Sequence, residues 1–160
     1  MAVGAMKADT KVEVKNVHLC CGACVKAASK AVQSVEGVTG GADQSAKTVT
    51  ITAPDDTAAQ RALDALAAAG FHGDTGSATL IFKDDSGAPS GKVQKLALTG
   101  IHNCCRSCSV AIKEALKKVP GVSSDTAQAK GETFEVSGDF EASALIKALN
   151  AAGFHVKVKN

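Results

Sequence analysis

The sequence predicts an α+β protein in which one small unit is used twice, each unit an antiparallel four-stranded sheet with two helices on one face. Two observations carry this. The stretch His18-Leu19-Cys20-Cys21-Gly22-Ala23-Cys24 returns as His102-Asn103-Cys104-Cys105-Arg106-Ser107-Cys108, and nine of the 21 positions from His18 to Val38 match those from His102 to Val122. Around each copy the apolar pattern changes in the same order from strand alternation to helical spacing. A repeat of this size divides the 160 residues into two units of roughly 70 residues each. The expected organisation is a flexible N-terminus at 1–10, a first domain at 11–83, a linker at 84–92 and a second domain at 93–160.

Lys11 to Lys15 alternates polar and apolar residues, which predicts a strand with one buried face. The first cysteine stretch follows. Val25, Ala28, Val32 and Val35 then fall at helical spacing until Gly37, a residue suited to the helix end. Val38 to about Asp43 and Lys47–Thr52 predict the second and third strands, the latter alternating and β-branched. Pro54-Asp55-Asp56 opens a helix through Ala69, capped by one of the two aspartates, with Leu63 and Leu66 facing inward. Gly70 ends it, and a last strand is expected from Phe71 or from Ala78 to Phe82. In the second half, Val93–Leu98 is a strand, Ile112, Leu116 and Val119 mark a helix, and Pro120-Gly121 breaks it. Glu132–Val136 alternates, Ala142–Ala152 is helical, and Gly153-Phe154-His155 begins the closing strand. The order β-α-β-β-α-β is the ferredoxin-like one, and Lys83–Gly91 has the composition of a short flexible linker.

Composition excludes several classes. A net charge of +2 and an aromatic content of 3% give no basis for a nucleic-acid partner. No apolar run is long enough to span a membrane. Met1–Ala5, small and apolar, resembles the tail of a trimmed secretory signal, which points to a periplasmic or secreted protein; a cytoplasmic location is equally compatible with the cysteine pattern. No Ser-His-Asp grouping, phosphate loop or carboxylate pair argues for catalysis.

All six cysteines lie in the two repeated stretches, and of the four histidines two head them while His72 and His155 follow Gly-Phe pairs downstream. Thiols bind metal as thiolates, and a helix N-terminus lowers their pKa. Two residues between Cys21 and Cys24, and between Cys105 and Cys108, let both sulfurs converge on one ion. Cys20 and Cys104 add a third in each loop. His18, His102, His72 and His155 are candidates for a fourth position. Such sets suit Zn(II) or Cd(II), while two or three thiolates suit Cu(I).

With these features the sequence resembles the heavy-metal-associated (HMA) domain family, the soluble metallochaperones and the N-terminal domains of metal-transporting P-type ATPases. The resemblance rests on the element order, the loop Cys-x-x-Cys, the Gly-Val after the first helix and the Gly-Phe after the second. It implies that Cys21, Cys24, Cys105 and Cys108 occupy the family's metal-binding positions, with one soft ion per domain. It also implies that Phe71 and Phe154 approach the metal loop of their own half, so that His72 and His155 turn away. Leu19 and Asn103 stand where copper members carry Met, and Cys20 and Cys104 where Thr or Ser is usual. The cysteine pair is similar to that of zinc and cadmium ATPase domains, which tilts the expectation toward Zn(II) or Cd(II) over Cu(I). The partners expected are metal ions and a metal transporter or acceptor protein, the chain being a monomer or a metal-bridged dimer. The opposing reading is a thiol-disulfide redox protein using the Cys-x-x-Cys pairs. A third is a purely structural metal.

Overall fold

In the computed structural model, which describes residues 8–160, each half starts with a strand that leads through a cysteine loop into a helix. The first half contains β1 (Thr10–Val14), α1 (Gly22–Gln33), β2 (Thr39–Asp43), β3 (Thr48–Ala53) and α2 (Asp56–Ala68). The second contains β4 (Lys92–Thr99), α3 (Arg106–Lys117), β5 (Val122–Asp125), β6 (Thr133–Glu141), α4 (Ala142–Ala151) and β7 (Lys157–Val158). The reading of Met1–Ala5 as a signal remnant falls outside the described residues. Among those residues, no helix is long and apolar enough to cross a membrane.

Both sheets are antiparallel, ordered β1-β3-β2 in the first half and β5-β6-β4-β7 in the second. The second half is thus the full ferredoxin-like unit. In the first half the fourth strand is reduced to a single bridge between Lys15 and Asp74. The cause is local: in the segment after it, Asp74 Oδ1 accepts from the Gly76 amide, the Ser77 hydroxyl oxygen accepts from the Thr79 and Leu80 amides, and the Thr75 hydroxyl donates to the Leu80 carbonyl. Side chains that bond their own backbone in this way compete with a sheet ladder.

Alternation places Val12, Val14, Val49 and Ile51 on one face of the first sheet and Leu96, Leu98, Phe134 and Val136 on one face of the second, all buried. The helices cover these faces. Cys24, Ala28 and Val32 form one inward stripe of α1, and Cys108, Ile112 and Leu116 of α3, each fully buried Leu or Ile contributing roughly 1.5–3 kcal/mol. Asp55 caps α2, its carboxylate accepting from the Ala58 amide at 2.8 Å. Asp55→Ala should therefore lower stability by about 1 kcal/mol in urea unfolding, whereas a neutral result would deny the cap.

The buried side chains of the two halves form one continuous core. The segment between them is tied down: Asp85 pairs with His155 at 2.6 Å and with Lys157 at 3.1 Å, and the Val158 amide donates to the Ser86 carbonyl at 2.7 Å. A linker read from composition as flexible thus lies fastened along the edge of the second domain.

Candidate metal centre

Each cysteine stretch turns from strand end to helix start. Cys21 and Cys105 are the N-cap residues of α1 and α3, with extended backbone (φ −156° and −152°). Three residues on, Cys24 and Cys108 top the inward stripes and are wholly buried, while Cys20, Cys21, Cys104 and Cys105 are half-buried. Apolar Leu19 sinks into the core. Its counterpart Asn103 is also buried, donating through Nδ2 to the carbonyls of Gln128 and Gly131.

The halves dock through the turns that end α2 and α4. Each helix finishes in a paired C-terminal hydrogen-bond motif: the amides of Gly70 and Phe71 donate to Ala67 and Leu66, and those of Gly153 and Phe154 to Asn150 and Leu149. Gly70 and Gly153 take φ of +90° and +91°. Their carbonyls then bond the opposite half: Gly70 accepts from His102 and His155, Gly153 from His18 and His72. Phe71 and Phe154 bridge one another. The interface is thus related to itself by an approximate two-fold axis, the same patch serving on both sides.

This docking brings both cysteine loops to one place. Cys20 lies 3.6 Å from Cys24, 3.4 Å from Cys105 and 3.5 Å from Cys108. Cys104 lies 3.5 Å from both Cys21 and Cys24 and 3.8 Å from Cys108. Cys24 and Cys108 meet at 3.8 Å on the axis, and Cys21–Cys24 and Cys105–Cys108 complete the set at 3.7 and 3.9 Å. All six sulfurs therefore belong to one cluster, where one loop per domain was the expectation.

Charge is unevenly distributed in it. Cys105, facing the N–H groups of Cys108 and Ser107 and the Cys20 thiol, is lowered to about 6. Burial raises Cys20 and Cys104, reinforced by their bonds to thiols of the opposite half. On the shared edge burial leaves Cys108 raised, whereas hydrogen bonds at Cys24 outweigh burial and lower it. Two equivalent groups this close compete for a single negative charge. Six thiolates at these separations require a cation.

Of the four histidines, the two heading the motifs join the cluster. His102 groups with Cys24, Cys104 and Cys108, and His18 with Cys20 and Cys108, all ligand atoms within 4.8 Å. The Nε2 atoms of both are buried without a hydrogen-bond partner. Burial, with Lys47 and His102 adding repulsion, lowers His18 to about 4, and burial lowers His102. Each ring stacks on a phenylalanine of the other half, His18 on Phe154 and His102 on Phe71, with centroids 4.4 Å apart. The phenylalanines were expected beneath their own loops; docking places each against the histidine of the other half.

His72 and His155 fall in no grouping with cysteine. They face each other, Nδ1 to Nδ1 at 3.1 Å, and His155 Nε2 meets Asp85 at 2.6 Å. This chain allows only one of the facing nitrogens to carry a proton, and burial together with His155 lowers His72 to about 4. An unfolded histidine binds a proton near pH 6.5, so His72 favours the unfolded chain as pH falls from about 6.5 to about 4. Asp85, its carboxyl lowered by His155 and Lys157 against the opposing effect of burial, adds a further loss below about 4. The urea midpoint of the apo protein should fall between pH 7 and 4.5, and His72→Gln should flatten the slope; an unchanged slope would remove His72 from the account. Sequence reading missed the Asp85–His155–His72 chain, for which the only signal was the repeated Gly-Phe-His.

Residues 99–155 match the family described as the heavy-metal-associated domain. Among solved structures, oxidized MerP from Ralstonia metallidurans CH34 is 27% identical, covering 44% of this chain and 100% of its own, with a TM-score of 0.39. A structure described by the words "Crosstalk between Cu(I) and Zn(II) homeostasis" is 34% identical, covering 42% of this chain and 100% of its own, with a TM-score of 0.36. The N-terminal soluble domains of Bacillus subtilis CopA are 19% identical over 96% of this chain and 95% of theirs, with a TM-score of 0.35. Comparison with curated proteins finds no match. The family match spans the second half, and the first repeats its motif and element order. Residues 99–155 thus carry a heavy-metal-associated domain, and the first half repeats its cysteine motif.

Proposed function

We propose that this protein binds soft metal ions among Cys20, Cys21, Cys24, Cys104, Cys105 and Cys108, and sequesters them or hands them to a thiol-bearing acceptor such as a metal transporter. The observation that carries this is the convergence of six free cysteines from both halves on one site, with a ring nitrogen of His18 and of His102 within 4.8 Å of the sulfurs each groups with. Thiolates this close together repel one another, and soft cations bound among them offset that repulsion. Thiolate and imidazole donors suit Cu(I), Zn(II) or Cd(II).

Exchange would occur at the rim. Cys21 and Cys105 lie on the side away from the buried Cys24–Cys108 edge, and the backbone N–H groups facing it hold the Cys105 thiol down at about 6. An acceptor thiolate would attack an ion there while a rim sulfur leaves. Ions beneath, on Cys24 and Cys108, would be released only as the halves separate, which favours holding over rapid transfer.

The test is an anaerobic titration of reduced protein with Cu(I) and, separately, Zn(II), each against a competing chelator. Cys24→Ser with Cys108→Ser is expected to weaken binding by more than about 100-fold, beyond the loss an outer-shell change brings. Unchanged affinity in that double variant would overturn the assignment. Failure of the wild type to hold either ion would turn attention to disulfide exchange at the same pairs.

A further inference from the structure

The six sulfurs have a definite polyhedral arrangement. Nine pairs lie 3.4–3.9 Å apart. Three more, Cys20–Cys21, Cys21–Cys105 and Cys104–Cys105, lie within 4.8 Å. Every sulfur then has four close neighbours and one non-neighbour. The left-over pairs are Cys20 with Cys104, Cys21 with Cys108, and Cys24 with Cys105. Twelve contacts with three opposite pairs make an octahedron, the approximate two-fold axis passing through the Cys24–Cys108 and Cys21–Cys105 edges.

This shape restricts what can be bound. Any four corners of an octahedron include an opposite pair, so no four sulfurs form the closed shell of a tetrahedral all-thiolate zinc site. A single ion at the centre would sit about 2.6 Å from each sulfur, too far for a thiolate bond of about 2.3 Å. The triangular faces do fit. The Cys24–Cys104–Cys108 and Cys20–Cys105–Cys108 faces have edges of 3.4–3.9 Å, and an ion at such a face centre lies about 2.1 Å from three sulfurs, reaching the bond length with a small outward displacement. Three-coordinate all-sulfur binding is a preference of Cu(I).

Resting on the soft-metal reading above, we propose that the two halves share one tetranuclear Cu(I) cluster, four ions on alternate faces of the sulfur octahedron. One such set of faces is Cys24–Cys104–Cys108, Cys20–Cys21–Cys24, Cys21–Cys104–Cys105 and Cys20–Cys105–Cys108. Three of these four triads are groupings in which all ligand atoms lie within 4.8 Å. Each sulfur belongs to two faces of the set, so every thiolate bridges two ions and no sulfur is idle. Six thiols lose six protons to bind four Cu(I), leaving a cluster of charge −2 with no change of oxidation state. Every face of the set uses sulfurs of both loops except Cys20–Cys21–Cys24, so a half alone cannot assemble it.

The experiment is native mass spectrometry of the full reduced chain titrated anaerobically with chelator-buffered Cu(I). At two equivalents, half the chains should carry four ions and the rest none, and X-ray absorption should show three sulfurs per copper with a copper–copper shell. Cys21→Ser, at a half-buried rim position, removes a corner of two faces and should lower the count from four to two. Two ions filling independently, one lost in Cys21→Ser, would overturn the shared cluster while leaving soft-metal binding intact. A single Zn(II) on Cys24, Cys104, Cys108 and His102, outcompeting Cu(I), would overturn it likewise. No ion retained against the chelators would overturn both readings.

Discussion

Gly70→Ala is expected to part the two halves and disperse the sulfur cluster. A methyl group there would sit 2.1 Å from the His102 nitrogen and 2.6 Å from the Gly100 oxygen and the Ile101 carbonyl carbon. These are backbone atoms, so no rotamer change relieves the contact. The residue also holds φ at +90°, where a side chain is itself strained by roughly 1–2 kcal/mol. Opening the interface removes the clash at the cost of the bonds that the Gly70 carbonyl accepts from His102 and His155. Small-angle scattering should show a longer particle, and the His102 and His155 amides should exchange faster. Gly76→Ala is the control: φ is +63°, but nothing lies within 4 Å of the added methyl. If Gly70→Ala scattered like the wild type with both amides protected, the docked arrangement would not be what holds the loops together.

Phe154→Ala carries the largest expected loss of stability. The ring is fully buried, stacks on His18 at 4.4 Å and bridges Phe71. Truncating a phenylalanine so enclosed costs about 3–5 kcal/mol, transfer and cavity together. Urea unfolding would measure it, and a loss below about 1 kcal/mol would mean that the site collapses onto the gap. Because the ring supports a histidine of the opposite half, the variant should also weaken metal binding, which a core truncation far from the interface, such as Ile51→Ala, should not.

The readings that held were those decided locally. Asp55 stands where the α2 cap forms, the 24/28/32 and 108/112/116 stripes face inward, and the cysteine pairs lie at helix starts, because spacing within a dozen residues settles each. The fourth strand of the first half was misjudged because Asp74, Thr75 and Ser77 bond their own backbone, which apolar periodicity does not register. The pooling of six sulfurs is a fact of docking: it depends on Gly70 and Gly153 admitting a foreign backbone, and nothing in either cysteine stretch encodes the distance to the other. The histidine-phenylalanine exchange escaped for the same reason, since a repeat suggests contacts within each copy and is silent about contacts between copies.

An approximate two-fold patch is what a symmetric dimer presents, yet here both copies are one polypeptide. Joining them converts an encounter between molecules into a ring closure, with an effective concentration on the order of millimolar for a short connection. Assembly of the site therefore becomes insensitive to dilution: a scarce protein can close around its ions as readily as an abundant one, with uptake first-order in chain.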